Sequence, residues 1–234
     1  MLARYAQLVS EMIELNQLYN MDCMDGMAQF ADNYFELAIV DPPYGGGSEN
    51  HEWDHKKRGR FGGLFDKYEI KGKCAKNKTE HWDIAPPPEY FDELFRVSRN
   101  QIIWGGNYFD LPPTRCFAIW RKLTISESFS MAMCEYAWTS FNQNAKWIEI
   151  TPQGTQAEPR FHPTQKPVAL YSWLLGQYAN PGDKILDTHA GSASSLVACY
   201  DGGYDFIGFE IDKEYFEKAN ERLLSKMSQR NLFR

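Results

Sequence analysis

Three stretches of the sequence hold residue types whose spacing could do chemistry. The most specific is KILDTHAGSASSLVACYDGGYDFIGFEID. Here Asp187 closes a short apolar run, Gly191 sits in a turn of small residues, and Glu210 closes a second apolar run 23 residues after Asp187. A nucleotide-type cofactor needs such a set: a strand, a tight turn that admits the ligand to the backbone, and an acid on the next strand, roughly 20 residues on, to accept ribose hydroxyls. The turn lacks the full GxGxxG pattern, and Ala193 stands where a second glycine would make room for a pyrophosphate, so a cofactor without pyrophosphate fits better. Ordinary strand, turn and helix packing also uses small residues there; the two acids at strand ends favour a cofactor loop. His189, inside the turn, is expected to pack or hydrogen-bond rather than act as a base.

The second stretch is LAIVDPPYGGG, residues 37–47. Leu37 to Val40 suits a strand buried on both faces, and Pro42 and Pro43 lack the amide hydrogens that would continue a ladder. Asp41 therefore emerges at a strand end, either as a turn residue accepting local hydrogen bonds or as a placed acceptor. The third stretch is basic. Between Lys56 and Lys78, nine Lys or Arg stand against Asp66 and Glu69, giving this window +7 and the remainder of the chain −13. Lys56, Lys57, Arg58 and Arg60, interleaved with glycines and followed by Phe61, Phe65 and Tyr68, are candidates for gripping phosphates. The overall net charge of −6 thus does not exclude a nucleic-acid partner.

The elements that must position these residues read as alternating strands and helices. Residues 1–15 place Tyr5, Leu8, Met12 and Leu15 at helical spacing and predict an opening helix. NQLYNMD and FELAIVD read as strands, each ending in an acid, with a helix around Cys23 to Phe30 between them; parallel strands would bring both acids to one sheet edge. Residues 45–85 form a long loop or insertion. PPPEYFDELFRVS is a helix entered through proline, QIIWGG a strand, and CFAIW, CEYAWTSF and WIEI an antiparallel portion of the sheet. After a turn-rich stretch come the helix VALYSWLLGQYA, a βαβ unit over residues 184–210, and a final helix capped by Asp212. The fold class is α/β, with one domain spanning residues 1–234.

A chain of 234 residues, 43% hydrophobic, can bury one well-packed core. Its longest apolar run, Leu196 to Tyr200, is far short of a bilayer span, and its start lacks a charged-then-apolar signal pattern, so a soluble, cytoplasmic protein is expected. The five cysteines (23, 74, 116, 134 and 199) are dispersed, with no CxxC pair and no histidine spacing suited to zinc, so reduced thiols and no metal are expected.

DPPY at 41–44, followed by HPTQKP at 162–167 and DTHAGSAS at 187–194, resembles the β-group amino DNA methyltransferases, which use S-adenosylmethionine. The order matches as well: in that family the DPPY block precedes the glycine-loop block, a circular permutation of the common methyltransferase arrangement. Coverage runs from about Leu18 to Leu224. The family loop is closer to DPFxGSGT, so His189 and Ala193 are departures. The resemblance implies a doubly wound, Rossmann-like, mostly parallel sheet, and roles residue by residue. Asp41 and the Pro42 carbonyl would accept hydrogen bonds from the target amine while Tyr44 stacks on a flipped base. Asp22 and Cys23 would lie at the cofactor adenine, Thr164 and Lys166 at its methionine end, Asp187, Gly191 and Ser192 along its loop, and Glu210 on its ribose. Asp rather than Ser before PPY resembles the adenine-N6 type, with cytosine-N4 as the alternative. A nucleic-acid-binding module with a degenerate cofactor loop is a further alternative. Double-stranded DNA is the implied partner, with residues 45–85 the local candidate for contacting it, and the family group includes homodimers.

Overall fold

The computed structural model describes residues 13–45, 84–128, 132–153 and 160–231. The elements follow the expected alternation: β1 (Gln17–Tyr19), α1 (Cys23–Met27), β2 (Phe35–Val40), α2 (Pro88–Val97), β3 (Ser98–Trp104), β4 (Phe117–Lys122), β5 (Cys134–Thr139), β6 (Lys146–Ile150), α3 (Val168–Tyr178), β7 (Lys184–Asp187), α4 (Ser194–Gly202), β8 (Asp205–Phe209) and α5 (Lys213–Asn231). All the strands among the described residues join one sheet in the order β1-β8-β7-β2-β3-β5-β4-β6. The antiparallel portion is β5 alone, which opposes both β3 and β4. WIEI, expected to be antiparallel, runs parallel to β4 with Ala118 opposite Lys146 and Lys122 opposite Ile150.

Side chains alternate across the sheet, as the period of a strand requires. Leu37 and Ile39 of β2, Ile102 and Trp104 of β3, and Ile185 of β7 pack with α3, α4 and α5 on one face. Ala38, Val40, Ile103, Leu186 and Ile207 pack with α1 and α2 on the other. A strand buried on both faces must be apolar, which is why Leu37 to Val40, all buried, read as a continuous run after the half-buried Glu36. The expected entry to α2 is present, with a proline in its first turn and Tyr90, Phe91, Leu94 and Val97 buried. Asp212 caps α5, its Oδ1 accepting from Glu214 N at 2.8 Å and Tyr215 N at 3.0 Å.

The opening helix is corrected where it can be seen. Residues 1–12 lie outside the described residues, and residues 13–16 are not helical. Asn16 has φ 66°, its Nδ2 donates to Asp205 Oδ1 at 2.8 Å, and its backbone N donates to Phe206 O at 2.6 Å, so docking on β8 overrides the helical spacing that included Leu15. No helix among the described residues is long and apolar enough to cross a membrane.

Two crossovers diverge from the middle of the sheet. β2 passes through α2 to β3 on one side, and β7 passes through α4 to β8 on the other, while β2 and β7 are themselves neighbours. The sheet therefore opens a crevice beyond the carboxyl ends of β2 and β7, the topological switch point at which doubly wound folds take ligands. Nearby, Gly26 lets α1 lie against the end of β8, since a Cβ there would intrude on the Phe209 ring. Gly26→Ala is expected to destabilise the fold by roughly 1–3 kcal/mol through overpacking. A urea midpoint equal to wild type would show that Phe209 can move aside.

Candidate functional site

The carboxyl edge of the sheet gathers the acids that the sequence placed at strand ends. Asp22 follows β1, Asp41 follows β2, Asp187 ends β7 and Glu210 follows β8; β5, reversed against both its neighbours, brings Glu135 to the same edge from its start.

The turn after β7 is tied down from three sides. Glu210 accepts Gly191 N on Oε2 at 2.8 Å and Asp212 N on Oε1 at 2.9 Å. Asp187 accepts His189 N on Oδ1 at 3.0 Å and the Ser195 hydroxyl on Oδ2. Arg222 of α5 donates to Ser192 O at 2.8 Å and to Ser194 Oγ at 3.0 Å. Gly191 has φ 52°, a region glycine enters freely. Ala193 holds φ 57° with its methyl fully buried, so this departure from glycine keeps the glycine backbone at a strain of about 1–2 kcal/mol. Burial pushes the Asp187 carboxyl up to about 7 against the pull of the Ser195 and His189 hydrogen bonds, and the charges of Asp41 and Glu210 add to the rise. Glu210 is also raised, again by burial first. His189 is held down at about 4 by burial; it is therefore neutral, set edge-on to Tyr90 at 5.3 Å, with Thr188 Oγ1 2.9 Å from its Nδ1. That is the packing role expected of it.

At the end of β2, both oxygens of Asp41 are engaged. Tyr44 donates its hydroxyl to Oδ1 at 2.7 Å, and Lys166 pairs with Oδ2. The Tyr44 ring stacks on Tyr108 with centroids 4.9 Å apart and planes 18° off parallel. It lies against Gly105, where φ is 65° and a Cβ would occupy the space of the ring. Burial, then the Asp41 charge, raises the Tyr44 hydroxyl far above its ordinary range, so it remains a neutral donor. Lys166 also faces Glu135 Oε2 at 3.2 Å, and Lys122 pairs with Glu135 Oε1 at 2.6 Å.

The remaining expected residues are placed as follows. Asp22 caps α1, accepting Met24 N at 2.7 Å, and beside it burial, reinforced by Asp22, pushes the Cys23 thiol up to about 12. Thr164 Oγ1 lies 3.2 Å from Nδ1 of His162, whose ring stands over Gly191 and against Tyr215. Thr164 thus borders the turn after β7. Lys166, expected at the methionine end of a cofactor, has its ammonium on Asp41 and Glu135. Lys56, Lys57, Arg58 and Arg60 lie outside the described residues.

A profile of the DNA methylase family matches residues 66–221. The chain belongs to that family. Over 226 residues it is 25% identical to YubD of Escherichia coli K12, covering 86% of this chain and 87% of YubD. A shorter stretch of 62 residues, 26% of this chain and 21% of the relative, is 44% identical to the DNA adenine methyltransferase YhdJ of the same organism. The M1.HpyAVI–SAM complex has the same fold, with a TM-score of 0.51 over 88% of this chain and 98% of that one at 20% identity.

In this DNA methylase several side chains at the site were not foreseen. Ser195 holds Asp187 and Arg222 holds the loop carbonyl, contacts that appear only once α4 and α5 have packed. Tyr108, within WGGNYF, was visible only as one aromatic among many. Glu135 lies in a run read as a strand and Lys122 two residues beyond another, CFAIW, and a lone acid in CEYAWTSF was the only signal they gave.

Proposed function

We infer that this DNA methylase transfers the methyl group of S-adenosylmethionine to the exocyclic amino group of a base flipped from double-stranded DNA, adenine N6 in preference to cytosine N4. One observation carries the reading: Asp41, Pro42 and Tyr44 at the end of β2 stand at the same switch point as the glycine turn after β7.

The residues fit the cofactor. Each Glu210 oxygen receives one backbone N–H, and a carboxylate offers about four acceptor sites, so lone pairs remain for ribose hydroxyls. Gly191 brings its backbone close under the His162 ring, Thr164 borders it, Ser192 continues the turn, and Asp22 with Cys23 would flank the cofactor's adenine at the neighbouring strand end. Asp187, when ionised, supplies negative charge to a cationic ligand. S-adenosylmethionine brings a sulfonium-bound methyl, which an amine lone pair takes as the C–S bond breaks to a neutral thioether.

The protein's part is to make that lone pair available. An amine conjugated to its ring is a poor nucleophile, and two acceptors draw its hydrogens out of the ring plane. Asp41 Oδ1 is one acceptor once the Tyr44 hydroxyl withdraws, and the Pro42 carbonyl, rigidified by the ring, is the other. Tyr44, released from Asp41, offers its face to the base. The nitrogen is cationic after transfer and then loses a proton, for which Asp41 Oδ1 is in place.

Adenine is preferred because the motif is DPPY and because the local similarity to YhdJ is high. The test is methyl transfer to unmethylated DNA followed by nucleoside analysis. N6-methyladenine supports the reading, N4-methylcytosine replaces the target base, and cofactor binding without transfer rejects it.

The ends of the basic segment support a role for it in contacting DNA. A Cβ built on Gly45 would lie 3.0 Å from that of Ala85, so the chain departs and returns at one point beside Tyr44. Replacing Lys56, Lys57, Arg58 and Arg60 by alanine is expected to weaken DNA binding. If all four contact phosphate, the slope of log K against log salt should flatten by about 3 to 4. An unchanged slope in a salt titration would assign these residues elsewhere.

A further inference from the structure

The charged groups around Asp41 extend beyond what acceptance of an amine requires. Lys122 ends β4, Glu135 begins β5, Lys166 precedes α3 and Asp41 follows β2, yet the four form one continuous chain of ion pairs. The Lys166 and Lys122 side chains are 4% and 7% exposed. Taking such ions out of water costs several kcal/mol each on the order of magnitude known for buried pairs, and apolar side chains of similar volume commonly serve stability as well or better. Stability is therefore a poor reason for this cluster.

A second observation points the same way. The buried side-chain atoms lacking a hydrogen-bond partner among the described residues are Trp104 Nε1 and Glu135 Oε2. Both belong to side chains around Lys166, whose ammonium lies 5.2 Å from the Trp104 ring centroid and pairs with Glu135 Oε2 at 3.2 Å, which leaves the Trp104 indole N–H as the unsatisfied group. Unsatisfied groups cost about 1–3 kcal/mol each and concentrate where function requires a fixed arrangement.

The geometry points to Lys166, fixed by Glu135 and Lys122, as a positioning residue for Asp41: it holds Oδ2 throughout turnover so that Oδ1 alone changes partner, from the Tyr44 hydroxyl to the target amine. This rests on the methyl-transfer reading above. A carboxylate free to rotate about its Cβ–Cγ bond would present its lone pairs in many directions, whereas one oxygen pinned by a buried ammonium leaves the other at a single place. The ammonium is itself held from three sides, by Asp41, Glu135 and the face of Trp104. Burial works against its charge, but Asp41 and Glu135 outweigh it and raise the Lys166 pKa. Likewise burial opposes ionisation of Glu135, while Lys166 and Lys122 hold its carboxyl below the ordinary value.

The test compares Glu135→Gln, Lys166→Met and Lys166→Arg with wild type in the full chain. It measures S-adenosylmethionine affinity by calorimetry, the single-turnover methylation rate and the KM for DNA. Glu135→Gln keeps shape and an acceptor, so it is expected to bind cofactor within about two-fold of wild type and to leave the KM for DNA unchanged. Its single-turnover rate should fall roughly 10- to 100-fold, as a displaced reacting group requires. Lys166→Met should lose more and Lys166→Arg recover part of the rate. If Lys166→Met fails to fold, cofactor affinity and rate vanish together and Glu135→Gln decides. A Glu135→Gln rate equal to wild type overturns the proposal. So does a Lys166→Met protein with weak cofactor binding but a full rate at saturation, which would assign the lysine to the cofactor. Absence of transfer by wild type would instead overturn the methyl-transfer reading along with it.

Discussion

Asp41→Ala is expected to abolish methyl transfer while leaving the fold and the cofactor affinity close to wild type. The side chain is a specific acceptor at the end of β2, not part of either hydrophobic core, so truncation removes no apolar packing. It does remove the acceptor of the Tyr44 hydroxyl and one partner of Lys166, but Lys166 keeps Glu135 at 3.2 Å, so no ammonium is left wholly unpaired. The loss in stability should therefore fall below the roughly 3–5 kcal/mol seen when a buried pair is broken outright. The loss in rate should be far larger. Removing one preorganised group aimed at the reacting atoms lowers rates by about 10²–10³ in acyl transfer. Here the same deletion also leaves the Pro42 carbonyl as the one remaining acceptor for the target amine, so a fall of about 10³ or more is expected. The measurement is single-turnover transfer of labelled methyl to DNA beside a cofactor titration. Full activity in the variant would remove Asp41 from the chemistry; loss of cofactor binding with loss of rate would make its role structural.

What could be read from the sequence, and what could not, divides by the distance over which a residue's environment is set. Asp41, Asp187 and Glu210 were legible because each follows an apolar run, and parallel strands bring such ends to one edge whatever their order. Gly191 was legible because a tight turn next to a strand demands it locally. The chain of Lys122, Glu135, Lys166 and Asp41 was not, because it depends on the order β2-β3-β5-β4 and on β5 running backwards, which strand propensity does not encode. Lys166 shows the difference most clearly. Its motif suggested the cofactor, and its ion-pair partners lie 125 residues earlier in the chain at Asp41 and on a strand whose direction local pattern leaves open. At residues 13–15, the described part of the expected opening helix, a related reason applies: helical spacing there is weak beside the docking of Asn16 on β8. WIEI read as antiparallel because the runs are close in sequence, yet it skips β5 to join the far side of β4.

Asp187→Asn should make the cofactor-free protein more stable than wild type at pH 8, and less able to bind cofactor. The sign follows from where the proton sits. Asp187 has an ordinary value of 3.8 and is pushed up by burial to about 7 in the folded protein. Below about pH 4 the carboxyl is protonated whether folded or not and contributes no difference. Between about 4 and 7 the unfolded chain ionises while the folded one keeps its proton, so stability falls as pH rises; above about 7 the full penalty stands. A gap of about three units corresponds to about 4 kcal/mol. His162 and His189, both held down at about 4 by burial, pull the opposite way below their ordinary value of 6.5, so the wild-type curve alone would mix the two effects. The histidines are common to both proteins, and the difference between variant and wild type isolates the carboxylate: it should grow by about 4 kcal/mol in denaturant titrations from pH 4 to pH 8. Asparagine can keep the hydrogen bond from His189 N on its oxygen and donate to the Ser195 hydroxyl, so the contacts survive the exchange. What does not survive is the negative charge. On the methyl-transfer reading, S-adenosylmethionine carries positive charge to this edge and favours the ionised form, so wild-type affinity should rise up to tenfold per pH unit below about 7, while the variant binds weakly with no such dependence. A stability difference that stays constant with pH would mean that Asp187 holds its charge without cost, and the buried acid would then be an ordinary part of the turn rather than a charge held ready for its ligand.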